Sequence, residues 1–229
     1  MARMRNSVQI TAIGVGVEVD WRTKIPDLGD GVGKKVVAVL GTYRKGGTLD
    51  AAVEAMLEGA RARRATTTTI YLADKHIEFC TNCRQCTQEP GPERGKCRHK
   101  DDLESILREI EAADALVLAS PVNCGNATAI FRRFMERLMG CAYWPWGQAA
   151  PKARSHVHTL KAALVATSAM PGFLIPIATG TTKALRTTAR ILGAKPVAGL
   201  WIGLAGGEPD HKPSGRVLER ARRMGRKLV

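Results

Sequence analysis

Apolar residues in this chain come in short, nearly unbroken runs, separated by stretches in which they recur every three or four positions. Val36 to Leu40, Ala115 to Ala119, Ala162 to Ala166 and Pro196 to Gly203 are such runs, and Thr66 to Tyr71 with Leu72 is a β-branched run of similar length. Apolar residues at both odd and even positions predict strands covered on both faces. Between the runs, Leu49, Val53, Met56, Leu57 and Ala60 predict a helix from about Thr48 to Arg64. Leu103, Ile106, Leu107 and Ile110 predict a second, opened by Asp101 and Asp102, whose charges suit the positive end of a helix. Ile130, Phe131 and Phe134 mark a third from about Ala127 to Leu138, and a fourth runs through Thr182 to Leu192. Val217, Ala221, Met224 and Leu228 mark a fifth near the C-terminus.

Strand and helix alternate throughout, which implies an α/β domain with a doubly wound parallel sheet and helices on both faces. Five strands suit a flavodoxin-like order of 2-1-3-4-5. In such a sheet a ligand sits beyond the carboxyl ends of the strands where the winding reverses. That rule joins three separated segments: the turn at Gly41, the segment from Ser120, and the one from Thr167.

The first of these, Gly41-Thr42-Tyr43-Arg44-Lys45-Gly46-Gly47-Thr48, has the composition of a phosphate cradle. Gly46 and Gly47 let the backbone approach an anion, and the helix that follows offers unpaired N–H groups. Thr42 and Thr48 supply hydroxyls, and Arg44 a planar cation. The segment lacks the G-x-x-x-x-G-K-[ST] order of triphosphate loops and the G-x-G-x-x-G of dinucleotide folds, so a monophosphate ligand fits better. An ordinary tight strand-to-helix turn is the competing reading.

From Lys34 to Gly203 the chain resembles the NADPH-dependent FMN reductases, which carry a G-S-x-R-x-x-G-N-T phosphate loop. Here the loop is one residue shorter, with Thr42 in place of the Ser and Gly47 of the Asn. Ser120-Pro121-Val122 and Gly193-Ala194-Lys195 add to the likeness, and the cysteine loop followed by Asp101-Asp102 is similar to the iron-sulfur flavoproteins of that family. The resemblance implies that Thr42, Arg44, Gly46, Gly47 and Thr48 hold the FMN phosphate. It further implies that Ser120, Pro121, Val122, Asn123, Cys124 and Gly125, with Thr167, Ser168 and Gly172, line the isoalloxazine ring. Asn123 and Cys124 stand where family members commonly carry aromatics, so the flavin would be stacked less and hydrogen-bonded more. Asn123 also reads as a plain turn residue. The flavin carries the chemistry and no catalytic side chain is expected. The resemblance also implies NAD(P)H or ferredoxin as electron donor, and a homodimer or homotetramer.

Cys80, Cys83 and Cys86 follow at Cys-x2-Cys-x2-Cys, and the ten residues Thr87 to Lys96 separate them from Cys97. That comb suits three corners of a 4Fe-4S cluster with a fourth ligand arriving from a loop. Zinc more often draws two separated Cys-x2-Cys knuckles, and a metal-free set of thiols is the third reading. Cys124 and Cys141 are spare, Trp144 and Trp146 read as core or interface, and His156 and His158 as surface or subunit-contact residues.

Composition alters this picture little. The 229 residues bear a formal charge of +14, much of it in the C-terminal helix, where Arg216, Arg220, Arg222, Arg223, Arg226 and Lys227 face Glu219 alone. No recognition motif or interleaved aromatics accompany the charge, so a nucleic-acid role is set aside. No apolar run is long enough to cross a bilayer, and the apolar patch Ile10 to Val17 lacks a cleavage pattern, so the chain reads as cytoplasmic and not membrane-bound. Residues 1–33 read as an N-terminal extension to one FMN-binding domain at 34–229, with the cysteine loop at 80–97. The functional expectation is an FMN-dependent oxidoreductase with a 4Fe-4S cluster. A clusterless NAD(P)H-dependent FMN or quinone reductase is one rival, and a flavin-free basic binding protein is another.

Overall fold

The structure is a computed structural model that describes residues 33–154, 160–208 and 210–229. The expected N-terminal extension, apart from Gly33, lies outside the described residues, as do His156 and His158.

The first strand, β1 (Lys35–Leu40), lies between β2 (Thr66–Tyr71) and β3 (Ala115–Asn123), parallel to both. The sheet continues through β7 (Leu160–Thr167) to β8 (Ala194–Ile202), giving the parallel order β2-β1-β3-β7-β8. Counted along the chain these are the second, first, third, fourth and fifth long strands, so the flavodoxin-like order 2-1-3-4-5 read from the sequence is the one formed.

Period-two geometry explains why the strands are apolar throughout. Val37, Val39, Leu116, Leu118 and Leu164 point into one core, while Val36, Ala38, Leu40, Val117 and Val165 point into the other. The first core is closed by α2 (Leu103–Glu111), α3 (Ala129–Glu136) and α5 (Thr181–Ile191), through Ile106, Phe131 and Leu185. The second is closed by α1 (Thr48–Arg61) and α6 (Gly215–Leu228), through Val53, Met56, Ala221 and Leu228. A short α4 (Ile175–Ala178) precedes α5.

Element ends differ from the periodicity in ways the backbone explains. Helix α1 stops at Arg61, and Arg64 takes a left-handed φ of 66° that turns the chain into β2. The segment from Ser120 to Gly125, which reads as a loop from its Pro121, Asn123 and Gly125, is not one. Strand β3 continues through it to Asn123 and folds back into β4 (Asn126–Ala127). Cys124 and Gly125, at φ 47° and 74°, form the two-residue turn whose positive angles match hairpin twist. Pro121 is tolerated because β1 ends opposite Ala119, leaving β3 an open edge on that side. The excursion after α3 contains a small ribbon, β5 (Ala142–Tyr143) with β6 (Lys152–Ala153).

Helices α1 and α6 meet at backbone distance. A Cβ on Gly59 would overlap the Arg222 carbonyl, and one on Gly225 would overlap the Met56 carbonyl. Glycine to alanine in a helix ordinarily stabilises by up to about 1 kcal/mol. Here the neighbouring backbone must move, and overpacking costs typically about 1–3 kcal/mol. Gly59→Ala and Gly225→Ala are therefore expected to lower stability in urea titrations. Gly215→Ala, whose Cβ meets nothing within 4 Å among the described residues, is expected to leave it level or raise it.

Candidate functional site at the carboxyl ends of the sheet

The segments after β1 and β3 are fastened to each other by hydrogen bonds. Gly41 N–H donates to the Ala119 carbonyl (2.8 Å), and the Thr128 hydroxyl donates to the Gly41 carbonyl (2.6 Å). Thr128 also caps α3 by accepting from Phe131 N–H, and its own N–H donates to Ser120 Oγ (3.1 Å). Gly41 is obligatory for this approach, because a Cβ would lie 2.5 Å from that of Phe131. Thr128 escaped the sequence reading. Its signal was a hydroxyl residue three positions before the buried Phe131, the spacing of a helix cap.

Of the phosphate-loop residues, Thr42 and Thr48 are buried and Arg44 is exposed. The Thr42 hydroxyl accepts from Arg44 N–H (3.1 Å), which shapes the turn. Gly46 N–H is committed to Asp50 Oδ2 (2.5 Å), whose carboxyl burial pushes above the ordinary carboxylate value. Gly47 is the N-cap of α1 and brings no side-chain cap. The segment after β8 covers this turn. Arg44 pairs with Asp210 (3.1 Å), the Thr48 hydroxyl donates to the His211 carbonyl (2.8 Å), and Lys212 Nζ donates to the Gly46 carbonyl (2.6 Å). On the β2 side a cleft of about 290 Å³ opens between Asp50, Glu54, Thr69 and Tyr71. Its two carboxylates suit no anion.

Among the proposed ring-lining residues, Ser120, Thr167 and Ser168 are buried, whereas Asn123 and Cys124 are exposed on the hairpin. The turn carbonyl of Gly125 accepts from Gly180 N–H (2.8 Å), which ties the hairpin to the start of α5. Ser168 N–H donates to the Ile202 carbonyl (2.9 Å), and a Cβ on Gly172 would lie 2.6 Å from the Trp201 carbonyl, so this third segment is clamped to the end of β8.

The cysteines form a second locus. Cys80, Cys83, Cys86 and Cys97 all line one small cavity of about 20 Å³ with Asn82, Arg84, His99 and Arg137. Burial pushes the Cys86 thiol up, and the neighbouring Cys97, Cys80 and Cys83 add to the shift. The N–H of Gln85 draws the Cys83 thiol down. Cys141 lies apart and is pushed up to about 11 by burial. Among the described residues no three His, Cys, Asp or Glu side chains are drawn close enough to hold a metal ion. The thiols thus share a pocket without forming a closed ligand set.

Arginines hold the cysteine loop together, and two of them, Arg84 and Arg137, line that pocket. Arg154 donates to the carbonyls of Cys86, Glu89, Gly91, Gly140 and Ala142. Arg84 is held between the rings of Trp144 and Trp146, at 3.8 and 4.2 Å from their centroids, and donates to the Trp144 carbonyl (2.6 Å). The two tryptophans therefore clamp an arginine, which sequence reading missed. Arg137 is buried against Asp101 (2.5 Å), with both side chains 1% exposed. Its signal was a cation continuing the apolar stripe of Ile130, Phe131 and Phe134.

The sequence matches the family described as NADPH-dependent FMN reductase over residues 34–207. The chain belongs to that family. The long strands order as that family's flavodoxin-like fold requires. Among curated proteins it is 31% identical over 111 residues to an iron-sulfur flavoprotein of Archaeoglobus fulgidus, spanning 48% of each. It is 33% identical over 103 residues to one of Methanocaldococcus jannaschii, spanning 45% of this chain and 51% of that protein. The matches thus span about half the length of these relatives. Its fold is similar to a solved NAD(P)H:quinone oxidoreductase from Methanothermobacter marburgensis, with a TM-score of 0.59, 20% identity and 86% and 99% of the two chains covered. An azoreductase from Bacillus anthracis str. Sterne is similar at TM-score 0.59 and 15% identity, with 85% and 99% covered. No helix among the described residues is long and apolar enough to cross a membrane.

The Asp101–Arg137 pair makes the cysteine locus acid-sensitive. Burial alone would raise the Asp101 carboxyl, but hydrogen bonds from Arg137 and from the N–H groups of Glu78 and Leu103 outweigh it and hold the group below the usual carboxylate range. A depressed acid contributes stability that is complete above its unfolded value of about 3.9 and is lost as pH falls through the folded value. Urea midpoints are expected to drop more steeply below about pH 4 in the native protein than in Asp101→Asn. Arg137→Met strands a buried carboxylate and is expected to cost about 3–5 kcal/mol at neutral pH, much of it recovered when Asp101→Asn is added.

Proposed function

We propose that this chain is an FMN-dependent electron-transfer protein of the iron-sulfur flavoprotein kind, with residues 34–229 as its FMN-binding domain behind an extension at 1–33. The reading is carried by the convergence of the three segments after β1, β3 and β7 at the point where the sheet reverses its winding. Thr42, Arg44, Gly46, Gly47 and Thr48 would hold the phosphate, with Arg44 and Thr48 exchanging Asp210 and His211 for the ligand. Ser120 to Gly125, Thr167, Ser168 and Gly172 would frame the ring. When bound, FMN supplies hydride or single-electron chemistry that no side chain here could perform alone.

The four cysteines are read as the ligands of a 4Fe-4S cluster. A set of four sulfur donors suits zinc or iron-sulfur sites, and support comes from their shared cavity, from the comb Cys80-x2-Cys83-x2-Cys86, and from relatives named as iron-sulfur flavoproteins. The electron donor is read as NAD(P)H or ferredoxin, the setting as the cytoplasm, and the assembly as a homodimer or homotetramer. Exposed Tyr43, Phe173, Ile177 and Leu204, which follow β1, β7 and β8, support an assembly that covers this end.

Anaerobic purification with a visible spectrum and iron and sulfide analysis tests the whole reading. About four irons and four sulfides per chain, with bound FMN, are expected. FMN without iron would favour a clusterless NAD(P)H-dependent reductase, and a colourless protein that FMN does not reconstitute would favour a flavin-free binding protein. Arg44→Ala removes a charge-assisted contact worth about 1.5–3 kcal/mol. It is expected to weaken FMN binding roughly tenfold to a hundredfold in a fluorescence titration. Asp210→Ala frees Arg44 from a competing carboxylate and is expected to tighten binding by up to about fivefold, the scale of an exposed ion pair.

A further inference from the structure

Arg137 is an unusual cation to find inside this fold. Among the described residues no other arginine or lysine is buried. One end of its guanidinium donates to Asp101 Oδ2 (2.5 Å) and to the Glu78 carbonyl (2.6 Å), and the other to Asp101 Oδ1 (3.3 Å) and to Cys97 Sγ (3.3 Å). Glu78 precedes the cysteine loop and Asp101 follows it, so the two ends of the loop together fix where this cation points. A methionine or leucine would fill the space at lower desolvation cost. What the arginine adds is an N–H donor and a positive charge against a sulfur. Arg137 lines the same cavity as all four cysteines, and His99, whose buried Nε2 has no hydrogen-bond partner among the described residues, lines it too.

We infer that Arg137 is a positioning residue for electron transfer: through its N–H on Cys97 Sγ it raises the reduction potential of the cluster, while Asp101 fixes the guanidinium in place and offsets its charge. The inference rests on the reading of the cysteines as cluster ligands. One-electron reduction of a site whose four thiolates are already deprotonated takes up no proton, so the site becomes more negative by one charge. A donor held against a ligand sulfur favours that state, since hydrogen bonds to the sulfurs are among the features that set such potentials.

The test is an equilibrium redox titration with dithionite on the anaerobically purified full chain, followed by the visible and electron paramagnetic resonance signals of the cluster. The double variant Arg137→Met with Asp101→Asn removes both charges and leaves no stranded ion, so it is the variant suited to retain fold and iron. Its reduced-to-oxidised ratio at a fixed ambient potential is expected to fall at least tenfold, a shift of about 59 mV for one electron. Asp101→Asn alone keeps the donor, removes the offsetting charge and is expected to move the potential upward. Opposite shifts from the double variant and from Asp101→Asn do not arise from a shared loss of packing, and unchanged FMN affinity in both variants checks the fold independently. Iron-loaded variants with the native potential, or with shifts of the same sign, would overturn the role given to Arg137 and leave the cluster reading intact. Native protein without iron would overturn both. If neither variant loads, Arg137→Lys, which keeps the charge and gives up the fork, decides the matter by whether its potential falls.

Discussion

The carbonyl of Gly41, just past the end of β1, is buried, and the Thr128 hydroxyl satisfies it at 2.6 Å. A buried carbonyl left unpaired costs about 1–3 kcal/mol, so the start of α3 cannot drift from the end of β1. That constraint propagates. Thr128 N–H rests on Ser120 Oγ, Ser120 belongs to β3, and the hairpin beyond it is held to α5 through Gly125 and Gly180. The site is thus assembled from backbone groups that have nowhere else to bond. Its geometry follows from the core rather than from contacts among the exposed loop side chains.

The cysteine loop is held together by different means. It contributes few apolar residues to either core, and its backbone carbonyls are gathered by guanidinium groups. Arg154 alone reaches five carbonyls, and Gly95 passes so close to Cys86 that a Cβ there would overlap its carbonyl. Arginine suits this role because its planar fork carries five donors and stacks on aromatic faces, as Arg84 does between Trp144 and Trp146. Part of the chain's large positive charge is therefore structural. One of its donors, on Arg137, also reaches a sulfur, that of Cys97.

The turn after β1 shows how one sequence feature can serve two demands. Gly41 is required by Phe131, and Gly46 carries the positive φ of 72° that turns the chain into α1. Both would be needed with no ligand at all. The contacts of Asp210, His211 and Lys212 bring a segment more than 160 residues distant in sequence onto the same turn. No local pattern could have announced them.

The sequence by itself determined the alternation of strands and helices, and with it the strand order, because each apolar run had to be covered on both faces and right-handed crossovers leave few ways to do so. The family resemblance was equally legible, since Thr42, Arg44, Gly47 and Thr48 lie within one short turn. The hairpin at Cys124-Gly125 was not, because Pro121 and Asn123 read as loop until β1 is seen to end short of them. Nor could the sequence say which of many arginines would be buried. Apolar periodicity is a property of neighbours along the chain. The fate of a charge depends on what lies opposite it, and only the folded chain brought Asp101, Glu78 and Cys97 around Arg137.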